Sequence, residues 1–196
     1  MKKSFIVIGV IVLVVIILYS WGSGMYNGMV TKQEAVSSQW AQVENVYQRR
    51  SDLIPNLVAT VKGYADFEKQ TLTDVITARS KATSVTIDPT KLNESNIQQF
   101  QQAQNGLSSA LSRLMVVVEK YPDLKANQNF LQLQAQLEGT ENRIAVERRN
   151  FNTIAQEYNT SIRQFPRNIF ASMFGFGSKA YFKADAGAEK APKVTF

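Results

Sequence analysis

The chain has 196 residues, contains neither cysteine nor histidine, and carries a formal net charge of +6. The absence of these two residue types excludes thiol and imidazole catalysis, disulfides and the usual zinc and haem ligands, so no cofactor and no metal site is expected. The positive charge is too weak and too dispersed to indicate a nucleic-acid partner.

An uncharged apolar run opens the chain and extends from Phe5 through Leu13 to Trp21. As a helix this run covers about 25 Å, which is close to the thickness of a bilayer core. Tyr19 and Trp21 suit the headgroup boundary, because their rings have an apolar body and a polar tip. We therefore predict a membrane anchor over residues 1–25. A cleaved signal peptide is the alternative, but the run is long for one and lacks an A-x-A-like cleavage site.

The charges that flank the run predict its orientation. Lys2 and Lys3 precede it, and the next charged residue is Lys32. Because positive charge is retained on the cytoplasmic side, we expect a single-pass protein with a cytoplasmic N-terminus and an extracytoplasmic remainder.

A heptad-like apolar stripe follows the anchor and predicts a long first helix. Its positions alternate steps of four and three residues, and only Arg50 departs from the apolar pattern. Because the stripe keeps its phase through Pro55, one helix with a kink at this proline is predicted. The stripe consists of Val36, Trp40, Val43, Tyr47, Arg50, Ile54, Leu57, Val61 and Tyr64.

Three further amphipathic helices are predicted, over residues 66–82 with Asp66 as N-cap, from near 95 to a stop at Pro122, and over 127–165. A loop over 83–96 joins the second and third helices. The inward positions of the second helix are Leu72, Val75, Ile76 and Arg79. Those of the third are Ile97, Phe100, Gln104, Leu107, Leu111, Leu114, Val118 and Tyr121. Those of the fourth are Phe130, Leu133, Leu137, Thr140, Ile144, Phe151, Ile154, Tyr158, Ile162 and Phe165.

Four such helices pack most simply as an antiparallel up-and-down bundle. The predicted fold is therefore all-α, with an N-terminal single transmembrane helix, a four-helix bundle over residues 26–182 and a disordered tail over 183–196. In such a bundle the last helix ends beside the start of the first. This geometry predicts that an apolar group after the fourth helix contacts the membrane surface or a neighbouring subunit; the alternative is that it folds back on the end of the bundle. The group consists of Ile169, Phe170, Met173, Phe174 and Phe176.

The polar residues at inward positions are interpreted as structural. Arg50 faces inward, and Glu147 or Arg148 fills a gap in the apolar stripe of the fourth helix, so a buried ion pair between Arg50 and Glu147 is predicted. Asn152 and Asn159 lie one heptad apart and predict interhelical hydrogen bonds. The helix-interior Gly139 predicts a close helix approach.

An enzyme is not expected. The carboxylates could in principle form an acid/base pair, but a glycosidase needs its two carboxyl groups across a sugar-sized cleft. A bundle with continuous apolar seams leaves little room for such a cleft.

Three stretches of the chain resemble the LemA family: WAQVENVYQRRSDLIPNLVATVKGYADFE, YPDLKANQNFLQLQAQLEGTENRIAVERRNFN and YNTSIRQFPRNIFASMFGF. The resemblance extends over residues 26–182 and includes the Tyr181-Phe182 pair. It implies a bacterial membrane protein with a short N-terminal membrane helix, a four-helix bundle and no established enzymatic activity. It also implies kinship with a magnetosome membrane-formation protein and genes placed beside membrane peptidases. The family has no agreed catalytic residues, so none is assigned.

Together these observations predict a non-enzymatic protein of the bacterial inner membrane that self-associates and organises or remodels the membrane. Its expected partners are the lipid bilayer and further copies of itself. The alternative is an adaptor for a membrane peptidase or another envelope protein, with residues 83–96 and the distal bundle end as contact sites.

Overall fold

The computed structural model describes residues 2–63 and 68–183. The predicted N-cap Asp66, the stripe residue Tyr64 and residues 184–196 of the predicted tail lie outside these ranges. Within them the regular structure is helical, and a short 3₁₀ turn, Pro89–Lys91, precedes the third helix. The helices are α1 (Lys2–Lys62), α2 (Lys69–Ser84), α3 (Glu94–Val118), α4 (Pro122–Lys125), α5 (Gln128–Arg163) and α6 (Arg167–Phe174).

The long helix α1 carries the predicted stripe on its buried face. Every stripe position from Val36 to Val61 is at most 5% exposed, and the helix passes through Pro55 without interruption. Towards the N-terminus the helix is continuous with the apolar run, whose large side chains are all exposed. Among the described residues, α1 is the one helix long and apolar enough to cross a membrane.

Helices α1 and α5 pack together antiparallel. Trp40 meets Phe151 in an edge-to-face ring contact with centroids 5.5 Å apart. Nearer the N-terminus of α1, the Lys32 ammonium lies 3.6 Å from the carboxylate of Glu157, which comes later in α5. The two helices therefore run in opposite directions along a shared apolar seam.

Helices α2 and α3 form a second antiparallel pair, which contacts the distal half of α1. The Gln104 side-chain amide donates to the backbone carbonyl of Ala82 at 3.1 Å, and the Lys120 ammonium lies 4.0 Å from Glu68. Because the first contact involves the end of α2 and the second its start, α3 runs back along α2.

Two predicted helix positions are wrong. Ile76 was expected to face inward but is 46% exposed, because the preceding Val75 occupies the inner face and successive helical side chains point about 100° apart. Helix α5 ends at Arg163 instead of Phe165, whose side chain is 81% exposed in the following turn. A proline disfavours helical geometry at the residue that precedes it, and Phe165 precedes Pro166.

The chain reverses after α6. Gly175 adopts a left-handed conformation with φ of 77°, which a residue with a side chain rarely adopts. The segment Phe176–Lys183, which we term the strap, then runs antiparallel to α5: its residue 179 contacts Asn159 and its residue 182 contacts Asn152.

Candidate membrane-proximal site

Helix α6 packs against α1 at the level where the apolar run ends. The rings of Trp21 and Phe170 meet edge-to-face with centroids 6.2 Å apart, and those of Tyr26 and Phe174 meet at 5.1 Å. A Cβ added at Gly22 would lie 3.6 Å from the Phe170 ring. The prediction that the chain end after the last long helix lies beside the start of the first is therefore confirmed.

The predicted apolar group, four residues of α6 and Phe176 of the strap, divides into partly buried and exposed side chains. Phe170 and Phe176 are partly buried and pack on the body of the protein, as the fold-back alternative predicted. Ile169, Met173 and Phe174 point outward and are 57%, 64% and 52% exposed. We use the name collar for the exposed large side chains at this end of the molecule: Trp21, Phe165, Ile169, Met173 and Phe174.

The collar lies at the end of the predicted anchor. Phe5, Leu13 and Tyr19 are 71%, 59% and 76% exposed, as side chains are where no other described part of the chain packs against the helix. Measured from Phe5, a bilayer core of about 30 Å would end near Gly24. Contact of the anchor and the collar with lipid stays a prediction.

The predicted ion pair between Arg50 and Glu147 is wrong. The guanidinium of Arg50 is buried and lies 2.8 Å from the carboxylate of Glu141. The carboxylate of Glu147 instead accepts a hydrogen bond from the Gln39 side chain at 2.6 Å. The cause is the axial register of α1 and α5, which is set by the ring contact between Trp40 and Phe151. Arg50 lies ten residues after Trp40, and Glu141 lies ten residues before Phe151. Because the helices are antiparallel, Arg50 and Glu141 lie at the same level.

Arg50 belongs to a polar layer that divides the apolar core into two parts. Its guanidinium also donates to the side-chain oxygens of Gln104 at 2.7 Å and Ser108 at 2.9 Å, both on α3. The inward α5 residue at this level is the buried Thr140. Because one arginine joins α1, α3 and α5, the layer fixes the relative axial positions of these helices.

Arg79 compensates for the helix-interior proline. Pro55 has no amide hydrogen, so the carbonyl of Ser51 lacks its usual intrahelical donor. Arg79 of α2 donates to that carbonyl through Nε at 2.8 Å, and Ser51 is buried. The sequence placed Arg79 on the inner face of α2 but did not show this partner.

Asn152 and Asn159 hold the strap instead of forming the predicted interhelical hydrogen bonds. The Asn159 amide accepts from the Lys179 backbone N–H and donates to its carbonyl, both at 2.8 Å. Asn152 makes the same two bonds to Phe182, both at 2.9 Å. Each asparagine thus replaces the backbone partner that an adjacent strand would supply.

The strap buries one aromatic ring and one lysine. Phe182 stacks on Trp40 with centroids 5.9 Å apart and completes the aromatic centre of the core cluster nearer the N-terminal apolar run. Burial lowers the pKa of the Lys179 ammonium, and the charge of Asp88 opposes this shift. Sequence reasoning missed these contacts, although the resemblance had pointed to the Tyr181-Phe182 pair.

The model of the LemA family matches residues 39–196. This chain belongs to the LemA family. It is 27% identical to Protein LemA of Metamycoplasma hominis over 93% of this chain and 80% of that protein. It is also 28% identical to Magnetosome protein MamQ of Magnetospirillum gryphiswaldense and to Magnetosome protein MamQ 2 of Paramagnetospirillum magneticum, over 80% and 81% of this chain. The chain spans 64% of the length of each of these two magnetosome proteins.

In this LemA-family chain, the segment between α2 and α3 is not a free loop. Ile87 and Leu92 are buried in the core cluster that contains Trp40, and the Leu92 carbonyl accepts from the Ala180 backbone N–H of the strap at 3.2 Å. Most other residues of the segment are exposed. Its role as a contact site for an adaptor stays a prediction.

The polar layer of the LemA-family chain borders an open cavity of about 310 Å³ between α1 and the end of α2. Gln104, Ser51 and Glu44 line it together with other polar side chains. Burial raises the pKa of the Glu44 carboxyl, and the nearby Trp40 indole opposes the shift. The lining combines amides, hydroxyls and this one carboxyl, without the facing carboxylates that glycoside hydrolysis requires.

Proposed function

We propose that this LemA-family chain is a non-enzymatic, membrane-anchored scaffold whose copies associate and organise or remodel the bacterial inner membrane. The N-terminal part of α1 spans the bilayer with its N-terminus in the cytoplasm. The rest of α1 forms an upright antiparallel four-helix bundle with α2, α3 and α5 outside the membrane. The collar rests in the lipid interface beside the anchor.

The collar is the observation that carries this proposal. Four of its side chains belong to α6 or to the turn before it, and all of them are more than half exposed. They lie beside the part of α1 where the apolar run ends, so a membrane crossed by α1 would cover them. Insertion of an amphipathic helix into the interface displaces lipid headgroups in one leaflet, and that asymmetry favours curvature.

Two helix-interior glycines support association between copies. An added Cβ at Gly106 or at Gly139 would meet no described atom within 4 Å, so the close helix approach predicted at Gly139 does not occur among residues 2–63 and 68–183. Each glycine costs about 1 kcal/mol relative to alanine in a helix. Gly106 lies in a shallow groove between α2 and α3, beside Ala78 and Ala103. These small residues leave room for a helix of a second copy.

The names of two relatives support the membrane part of the proposal. Both are called magnetosome proteins, and the family resemblance implies kinship with a magnetosome membrane-formation protein.

The test is reconstitution of the full chain into phospholipid vesicles, imaged by cryo-electron microscopy at increasing protein density. We expect clustered or deformed vesicles and crosslinked oligomers with the unaltered chain. The double variant Ile169→Ser/Met173→Ser should lose the deformation, whereas the control Val116→Ser, at an equally exposed apolar residue on α3, should retain it. Round vesicles containing monomeric protein at every density would refute the scaffold.

A further inference from the structure

We propose that the groove between α1 and the α5–α6 turn binds one anionic phospholipid, with its phosphate on Arg167 and its acyl chains beside Trp21 and Phe165. This inference rests on the proposed function in one respect, because it requires α1 to span the bilayer.

The lower part of the groove is open and combines aromatic and other apolar side chains with Ser20, Gln164 and Arg167. It is a cavity of about 490 Å³, whose walls come from α1 and from the turn that joins α5 to α6. Trp21 and Phe165 are 51% and 81% exposed there. Its lining residues are Ser20, Trp21, Gly24, Met25, Gln164, Phe165, Pro166 and Arg167.

The upper part is polar. An adjoining cavity of about 450 Å³ shares Gln164 and Arg167 with the lower one and adds Lys32, Gln156, Glu157, Thr160 and Ser161. From the anchor towards the bundle, the groove thus changes from aromatic rings to hydroxyls, amides, two cations and the carboxylate of Glu157. A phospholipid that stands in the outer leaflet changes in the same direction, from acyl chains to phosphate and headgroup.

Arg167 is suited to hold the phosphate. One of its terminal nitrogens donates to the Ser161 hydroxyl at 3.1 Å, and no carboxylate of the described residues forms an ion pair with it. Lys32 adds a second cation, partly offset by Glu157 at 3.6 Å. The planar guanidinium can offer a phosphate two parallel hydrogen bonds, which a lysine cannot.

The depth of Arg167 agrees with this ligand. A bilayer core of about 30 Å that begins at Phe5 ends near Gly24, and the headgroup layer extends about 5–7 Å further. Arg167 shares a cavity with Gly24 and Met25 and therefore lies in that layer. A free phosphate ion would use the polar part alone, whereas a phospholipid uses both parts. We therefore assign the site to a lipid.

Native mass spectrometry of the full chain tests the site. The chain is inserted into vesicles of equal parts phosphatidylcholine and phosphatidylglycerol and then released with its bound lipid. We expect phosphatidylglycerol to be enriched on the unaltered chain. The variant Arg167→Gln should reduce this enrichment about fivefold, the effect of one cation near an anionic surface. The control Arg149→Gln, an exposed arginine on α5, should leave it unchanged.

Three results would overturn the assignment: enrichment that survives Arg167→Gln, an equal loss with Arg149→Gln, or displacement of the lipid by millimolar inorganic phosphate, which would indicate a free-anion site. Co-sedimentation of the chain with carbonate-washed vesicles separates this failure from that of the proposed function. A chain that stays in the membrane without lipid preference refutes the lipid site alone. A chain that washes off refutes the anchor and the lipid site together.

Discussion

The hydrogen bond between Arg79 and the Ser51 carbonyl leads to a direct prediction about the proline in α1. Pro55 cannot donate to this buried carbonyl, and Arg79 does so instead at 2.8 Å. Replacing Arg79 by methionine keeps most of the apolar stem but leaves the carbonyl without a donor. We therefore expect Arg79→Met to lower the free energy of unfolding, and the loss to depend on residue 55.

The expected magnitude follows from the type of bond. A hydrogen bond from a charged donor contributes about 1.5–3 kcal/mol, and a buried acceptor left unpaired costs a similar amount. Because Arg79 is only half-buried, we expect a loss of about 2 kcal/mol. In a Pro55→Ala background the new amide can donate to the Ser51 carbonyl, so Arg79→Met should then cost less than about 1 kcal/mol.

Urea unfolding of the full chain in mild detergent, followed by far-ultraviolet circular dichroism, measures both losses. The control is Arg113→Met, an exposed arginine on α3, which should change stability by less than about 0.5 kcal/mol. Equal losses for Arg79→Met with proline and with alanine at position 55 would refute the compensation.

Three further predictions use the same unfolding assay. Glu141→Gln should cost about 1.5 kcal/mol, because the buried Arg50 loses its anion, and Glu147→Gln about 0.5 kcal/mol; the reverse order would contradict the observed register. Gly139→Ala should stabilise the folded chain by about 0.5–1 kcal/mol, since the added methyl group meets no described atom of the same chain, and a destabilised variant would reveal a contact at this position. Burial raises the pKa of the Glu44 carboxyl, so the folded state binds the carboxyl proton more tightly than the unfolded state. The resulting contribution to the free energy of unfolding is present below the ordinary pKa of 4.5 and is lost as the pH rises through the raised value. Glu44→Gln should therefore be more stable than the unaltered chain at neutral pH but not below pH 4.5, and a difference that is constant with pH would exclude this cause.

Helix faces could be predicted from the sequence because burial repeats with the helical period. The stripe from Val36 to Val61 is buried throughout, and in α3 the residues from Ile97 to Val118 that were assigned inward are buried as well. Gln104 was placed correctly by this period despite its polar side chain. The period predicts which face of a helix is buried, even where one position on that face carries a polar side chain.

Axial register could not be predicted in the same way. A stripe stays similar when a neighbouring helix slides along it by one or two turns, so periodicity alone does not show which of Glu141 and Glu147, six residues apart, lies level with Arg50. The register is set by contacts such as Trp40 with Phe151, which depend on how two helices meet.

The strap had no signal that periodicity could detect. It is an extended segment in which Lys179 and Phe182 are held by side chains from another element. Asn152 and Asn159 lie one heptad apart, and this spacing is equally compatible with a neighbouring helix and with an extended chain. The sequence feature that could have indicated the strap is the pair of asparagines in α5 together with the aromatic residues Tyr181 and Phe182 that follow α6.

The most direct test of the central claim is the depth of the collar in a lipid bilayer. The chain has no cysteine, so a spin label at Met173→Cys or at the control Lys120→Cys, beyond the end of α3, reports one position without background. We predict that the label at position 173 is relaxed by oxygen dissolved in the membrane, whereas the label at position 120 is relaxed by a water-soluble nickel complex. Equal access of the nickel complex to both labels would contradict a collar that rests in the membrane.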